Sequence, residues 1–387
     1  MDRAAFALLC LFVFVMPWEK SLYIPGFGTA ARLVGILAVA AAAARGRPRG
    51  PNLALAAAAA FLAWGSLTVL WSLDPAATLA RASTFAQLFV MAWLVWDLGG
   101  EPARQRRLLQ AYVAGSVAAS AATMLRYAQN IQTYYRRYAA PGFDPNDLAL
   151  TVALAIPMAF YLALRSRGWA RWFNYAAVAM SCAAVLLAAS RASMVAAFAA
   201  FVFPALVWRD SPRTGRAAAA VLLAFFILGG ARLAPAASRE RLSTLGTELT
   251  RGTLHKRTTI WKAGLRAVKQ RPVRGVGWGA YPDAVEPELG VPPVAGHEYV
   301  AHNSLLSVLV ETGLAGFALY ALLLAVLAVY VWAMPHVERS LWAVTLAVWL
   351  AGAATLTWEH RKPTWLIFAL IMAAWARAFQ PEKDGAA

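Results

Sequence analysis

The sequence predicts an all-α polytopic membrane protein of about twelve transmembrane helices, interrupted by one large polar segment that contains short amphipathic helices. Three observations predict it. The 387 residues are 60% hydrophobic, with a mean hydropathy of +0.54. Charged residues make up 14%, well below the roughly 25% of soluble domains. Uncharged stretches such as 53–70 and 217–228 belong to apolar runs, and runs of roughly 17–25 residues suit a hydrocarbon layer about 30 Å thick.

The first span, 4–16, has a charged start but no small-residue cleavage site, so it reads as a retained span and not as a removed signal peptide. Further spans follow at 29–44, 52–71, 78–97, 107–125, 147–165, 172–189, 192–208 and 216–233. After the polar segment come 304–332, 341–357 and 364–379. The chain thus divides into a first helical region, 1–233, the segment 234–303, a second helical region, 304–379, and a disordered tail, 380–387. Trp18, Trp71, Trp172, Trp208 and Trp332 stand at span ends, where an indole anchors at the interface.

Placing the N-terminus in the cytoplasm puts the short basic connectors 45–50, 98–107, 166–171, 209–216 and 333–340 there, together with the tail. The other side receives 17–28, 72–77, 126–146, the turn at Ser190-Arg191, the segment 234–303, and 358–363. Some of the net charge of +17 is therefore topological and implies no nucleic acid. The two cysteines, Cys10 and Cys182, both lie in apolar runs, so neither a disulfide framework nor a thiolate zinc site is expected.

The positive charge on the outer side runs against the topological bias. Segment 234–303 carries Arg239, Arg241, Arg251, Lys256, Arg257, Lys262, Arg266, Lys269, Arg271 and Arg274 against Glu240, Glu248, Asp283, Glu286, Glu288 and Glu298. Residues 258–270 read as an amphipathic helix at the membrane surface, with Ile260, Leu265 and Val268 on the apolar side. Lys262, Arg266 and Lys269 share the opposite face, suited to an anionic substrate, to lipid headgroups or to water. Gly275, Gly277 and Gly279 break the helix; without a strand–helix context they make no nucleotide fingerprint.

Arg191, between two apolar runs, is either a snorkelling helix end or a phosphate clamp, since its fork donates two parallel hydrogen bonds to phosphate oxygens. His302 and Asn303 precede a long span. Asn303 or Ser304 reads as a helix N-cap, and the imidazole of His302 suits a general base. His297, His255 and His360 are weaker candidates, and His336 falls on the cytoplasmic side. Arg136 and Arg137, flanked by Tyr134, Tyr135 and Tyr138, suit a sugar or phosphate contact or an interfacial loop. No Asp-x-Asp pair is present to bridge a metal and a nucleotide sugar; Glu286-Pro-Glu288 comes nearest. No metal or cofactor is therefore expected, and a diphosphate neutralised by arginines fits better.

Three patches carry a resemblance. The first runs from Arg257-Thr-Thr-Ile-Trp261 through Gly275-Val-Gly277 to Ala301-His302-Asn303-Ser304 and Glu311-Thr-Gly313-Leu-Ala-Gly316. The second is Gly142-Phe-Asp-Pro-Asn146-Asp-Leu-Ala149, followed by Pro157, and the third is Ala189-Ser190-Arg191. In this order the chain resembles the O-antigen ligase/polymerase family of bacterial inner-membrane proteins. The resemblance implies a metal-independent glycosyltransferase at the periplasmic face. Its partners would be a glycan on undecaprenyl diphosphate as donor, a lipid A-core sugar as acceptor, and the membrane lipids, with no obligatory protein partner. By motif, His302 would be the base and Arg191 and Arg257 would hold the diphosphate. Arg266 is added from its helical face, and Lys262, Asn303, Arg136 and Arg137 complete the expected substrate contacts. The family's protein O-oligosaccharyltransferases are expected to be longer, so the early stop after the last span favours a ligase; a polymerase stays open. A lipid-linked substrate flippase is the alternative of another class. It predicts mid-span charges and symmetry between halves, whereas these spans are mostly Ala, Leu and Val.

Overall fold

The computed structural model describes residues 2–230 apart from 27, 47, 134 and 135, and residues 257–290 and 299–378. Tyr134, Tyr135, Arg239, Glu240, Arg241, Glu248, Arg251, His255, Lys256, His297, Glu298 and the tail 380–387 lie outside the described residues.

The described chain is nearly all helix. In order come α1 (Asp2–Val15), a 3₁₀ turn (Met16–Ser21), α2 (Ala30–Ala43), α3 (Leu53–Leu67), α4 (Pro75–Leu98), α5 (Pro102–Ala128) and α6 (Pro145–Arg165). Then follow α7 (Gly168–Ala188), α8 (Arg191–Ala200), α9 (Val202–Leu206), α10 (Arg213–Leu228), α11 (Arg257–Gln270) and α12 (Tyr281–Leu289). The last three are α13 (Ser304–Trp332), α14 (His336–Ala353) and α15 (Lys362–Ala378). The β-structure among the described residues is one antiparallel pair, Tyr23 with Thr29 and Ile24 with Gly28.

Among the described residues helices overlie the apolar stretches read from the sequence, but seven of them are long and apolar enough to cross a membrane: Asp2–Ser21, Leu53–Leu70, Pro75–Leu98, Pro102–Ala128, Pro145–Arg165, Gly168–Ala188 and Ser304–Trp332. Ala30–Ala43, Arg191–Leu206 and Lys362–Ala376 are apolar but shorter. A 14-residue helix such as α2 rises only about 21 Å. The stretch 192–208 is divided at Phe201 into α8 and α9.

The bundle is built around α6. Its residues are buried almost without interruption from Asp147 to Ala163, and it packs against α5, α7, α8 and α14. A helix that is apolar on all sides belongs in the middle of such an assembly.

Connections collect at two ends. At one, the 3₁₀ turn meets the loop before α6 through Ser21 Oγ, which donates to the Pro141 carbonyl at 2.9 Å, and through Lys20, 3.1 Å from Asp147. At this same end the 72–74 loop meets 274–276, and the loop before α13 meets the one before α15. At the opposite end Arg45 pairs with Asp97, and Arg165 lies 2.8 Å from Glu338.

The glycine-rich stretch after α11 is a wedge. Val276 and Gly277 donate their backbone N–H groups to the Val310 and Glu311 carbonyls at 3.0 and 2.9 Å. This is possible because α13 breaks at Gly313, with φ +66° and ψ −172°. A Cβ on Gly275 would lie 2.5 Å from the Glu311 carbonyl oxygen, and one on Gly313 would lie 2.3 Å from that of Val273. Next in sequence, Trp278 is fully buried and stacks on Phe85 with ring centroids 4.1 Å apart. The glycines therefore serve close backbone approach.

Helix α11 stands where the sequence predicts it, but its buried stripe is narrower. Ala263, Gly264 and Ala267 are buried, while Leu265 is 49% exposed. Small side chains let the helix sit close to Tyr281, whose Oη would lie 2.7 Å from a Cβ at Gly264. Leu265 instead shares the outward face with Lys262, Arg266 and Lys269.

Candidate active site

Four helix starts and one helix end build the site. Helix α7 stops at Ala188 because Ala189 takes a left-handed conformation, φ +49°. Ser190 then caps α8, its side chain accepting from the Ser193 N–H, and Arg191 becomes the first helical residue. Arg137 stabilises this corner. Buried to 4% exposure, it donates from Nε to the Ala188 carbonyl at 2.7 Å and from Nη2 to Asn146 Oδ1 at 2.8 Å. Asp144 caps α6 by accepting from the N–H groups of Asn146 and Asp147.

Arg257 opens α11. One turn later Trp261 donates its indole N–H to the Ala301 carbonyl at 2.7 Å, so α11 is fastened to the residue before His302. His302 is itself left-handed, φ +46°, and its N–H donates to Thr357 Oγ1 at 3.1 Å. Asn303 is the N-cap of α13, its Oδ1 accepting from the Leu306 N–H at 3.0 Å. Ser304 Oγ donates to the Leu356 carbonyl at 2.9 Å and accepts from the Trp358 N–H at 2.7 Å.

These pieces place Arg191, Arg257 and His302 in one electrostatic neighbourhood. Burial, and then the charge of Arg191, pull Arg257 below the ordinary arginine range. Burial, and then the charge of Arg257, pull His302 down to about 4, against the opposing influence of Asp144 and Asp147. At neutral pH the imidazole is therefore uncharged and free to accept a proton. Two clustered guanidiniums beside a neutral imidazole can hold an anion and deprotonate a hydroxyl next to it.

The remaining expected contacts separate. Arg266 Nε lies 2.7 Å from Glu288 Oε2 on the outer surface of α11 and α12. Lys262 is exposed on that surface. Arg136 is exposed, with φ +55°, while its neighbour Arg137 is buried. The side chain of Asn303 is engaged in its cap.

Several charged residues at the site take no role from the sequence, although Asp147 and Glu311 lie within the patches that carry the resemblance. Asp147 accepts from Lys20 at 3.1 Å and from the Trp358 indole at 3.0 Å, and lies 3.2 Å from Arg361. Beneath the start of α13, Glu311 and Glu359 are both buried, with the hydroxyl of Ser307 between them at 3.5 and 3.2 Å. Arg81 of α4 reaches Glu359 at 3.9 Å. His360, pushed down to about 4 chiefly by burial, hydrogen-bonds Glu359 through Nδ1 at 3.3 Å. A carboxylate in each of two apolar runs, at 147 and 311, is the signal the sequence offers for them. Among the described residues no group of three or more His, Cys, Asp or Glu is placed to hold a metal ion.

No curated protein matches the chain. The sequence model of the family described as O-Antigen ligase matches residues 175–321, a stretch that begins in α7, holds Arg191, Arg257 and His302 and ends in α13, and over that stretch the chain is similar to the O-antigen ligase family.

Proposed function

We propose that the protein is an O-antigen ligase that transfers a glycan from undecaprenyl diphosphate to a sugar of lipid A-core. In this reading it lies in the bacterial inner membrane with about twelve spans and both termini cytoplasmic, and segment 234–303 is periplasmic. The observation that carries the reading is the cluster of Arg191 and Arg257 beside an uncharged His302. An acceptor hydroxyl gives its proton to His302 as its oxygen attacks the anomeric carbon. The bond from that carbon to the diphosphate oxygen breaks, and undecaprenyl diphosphate leaves with the electron pair. Arg191 and Arg257 stabilise the charge that develops there. One direct displacement inverts the anomeric centre. The arginines take the place of a divalent ion, so transfer proceeds in EDTA.

Purified protein with lipid-linked donor and lipid A-core acceptor tests the reading. Arg191→Ala or His302→Ala should lower the rate about 10²–10³-fold, the usual cost of one such contact. Near wild-type transfer by either variant, or a strict divalent-metal requirement, sinks the assignment. A lipopolysaccharide gel of a deletion strain separates ligase from polymerase. Uncapped cores with accumulating polymeric donor mean ligase; cores capped with a single repeat mean polymerase.

A further inference from the structure

The loop between α14 and α15, residues 354–361, is fastened on both sides by buried carboxylates. Trp358 donates its indole N–H to Asp147 at 3.0 Å, and Arg361 lies 3.2 Å from the same carboxylate. Glu359, 2% exposed, meets Ser307 at 3.2 Å, His360 at 3.3 Å and Arg81 at 3.9 Å. Just before and at the first of these anchors, three successive residues grip the start of α13. The Leu356 carbonyl accepts from Ser304, Thr357 Oγ1 accepts from the His302 N–H, and the Trp358 N–H donates to Ser304.

Stability alone gives little reason for this arrangement. Burying a carboxylate costs several kcal/mol, and a buried ion pair often stabilises no more than apolar side chains of the same volume. Geometry gives a better reason. His302 holds a left-handed backbone at φ +46°, a conformation that costs about 1–3 kcal/mol and persists only where the surroundings impose it. The Thr357 hydroxyl is the partner that takes the His302 N–H in that conformation.

We propose that Thr357 is the positioning residue of His302, and that Glu359, held by Arg81 and Ser307, fixes the loop that presents it. This rests on the reading of His302 as the base. Neither residue is assigned a contact with substrate; both act by keeping the imidazole aimed at the acceptor hydroxyl. Misplacement by about 1 Å can cost on the order of a hundredfold in rate.

The experiment is steady-state transfer by the full-length purified protein. Thr357→Val keeps the shape and removes the acceptor for the His302 N–H. It should lower kcat about tenfold or more and leave the donor KM within about twofold. Thr357→Ser restores the hydroxyl and should recover kcat to within about threefold of wild type. Glu359→Gln should repeat the kcat-selective loss. His302→Ala runs alongside. If His302→Ala is inactive while Thr357→Val keeps kcat within about twofold, the positioning role is overturned and the base assignment stands. If Ser and Val are equally impaired, the hydroxyl is not what matters and the proposal fails. If His302→Ala is active, the base assignment falls and the positioning role with it. Should Thr357→Val not fold, an unchanged kcat in Glu359→Gln overturns the proposal on its own.

Discussion

Trp261 and Ala301 lie forty positions apart, yet the indole N–H of the first donates to the carbonyl of the second at 2.7 Å. This bond sets the distance between Arg257, one turn before Trp261, and His302, the next residue after Ala301. Trp261→Phe keeps most of the ring and deletes the donor. The lost hydrogen bond is worth about 1 kcal/mol of stability. The larger effect expected is on catalysis, about tenfold in kcat/KM, because arginine and imidazole are no longer held in register. Transfer assays at matched thermal stability measure it. Unchanged kcat/KM means that the two residues are positioned by other contacts.

The pH dependence follows from the surroundings of His302. Burial and Arg257 lower it to about 4, while Asp144 and Asp147 act in the opposite sense. The neutral imidazole is the form that accepts a proton. Activity should therefore stay level from neutral pH down to about pH 5 and fall as the pH drops through about 4, where an ordinary histidine titrates near 6.5. Arg257→Met removes a lowering influence and should move the acid limb of kcat/KM to higher pH, apart from its loss of amplitude. Asp144→Asn should move it lower. Stability has its own sign. Between about 4 and 6.5 the unfolded chain binds a proton at this position that the folded chain does not, so stability falls as pH falls through that window. His360, also lowered to about 4, adds the same slope. Thermal unfolding at a series of pH values checks it; stability independent of pH from 7 to 4 contradicts both shifts.

The nearly all-helical character is legible in the sequence because hydrophobicity is a bulk property of each run, and among the described residues helices stand on these runs, seven of them long and apolar enough to span. The basic helix is legible in the same way, from charges three and four residues apart. What the sequence hides is whatever depends on long-range partners. Arg137 reads as a sugar or phosphate contact or part of an interfacial loop because nothing local shows that its guanidinium donates to Ala188 and Asn146. Arg266 reads as a ligand for the donor because its pairing with Glu288 spans a loop and a second helix. Glu359 has no local signal, and only the tertiary fold brings Arg81 of α4 within 3.9 Å of it. The place of His302, just before the N-cap of α13, is legible because a helix start is a local feature.

The break in α13 makes a stability prediction. A side chain at Gly313 meets both a left-handed backbone and the Val273 carbonyl oxygen, 2.3 Å from the Cβ position. Neither neighbour is the far end of a flexible side chain. Gly313→Ala should lower stability by about 1–3 kcal/mol or more and disturb the pairing of Val276 and Gly277 with the helix. Gly290, also left-handed but with nothing near its Cβ position, should show a smaller loss on the same change. Melting temperatures of the two variants in one detergent compare them; equal losses mean that the wedge does not resist the extra carbon.

Arg266 and Arg191 separate a surface charge from a site charge. Arg266 is half-exposed and paired with Glu288, a contact worth about 0–1 kcal/mol at such a surface. Arg266→Ala should leave transfer within about twofold of wild type and lower stability little. Arg191→Ala should cost about 10²–10³ in rate. A large loss from Arg266→Ala would mean that its guanidinium leaves Glu288 for the donor during turnover.

Arg137 separates support from chemistry. Its fork joins the end of α7 to the start of α6, through Nε to the Ala188 carbonyl and Nη2 to Asn146. Three residues beyond Ala188 stands Arg191, so the angle at which α8 leaves depends on this corner. Lysine carries the charge but has a single nitrogen at its tip and cannot reproduce the fork. In Arg137→Lys at least one of the two acceptors loses its donor, which for a buried group costs about 1–3 kcal/mol. The functional consequence should appear in donor binding, with a raised KM for the lipid diphosphate as Arg191 shifts, and less in kcat, because His302 is carried by other loops. Arg137→Ala should enlarge both effects without changing the pattern. Steady-state kinetics with a melting curve for each variant decide it. If Arg137→Lys lowers kcat at constant KM, the guanidinium acts on the reaction itself and not through the corner it holds.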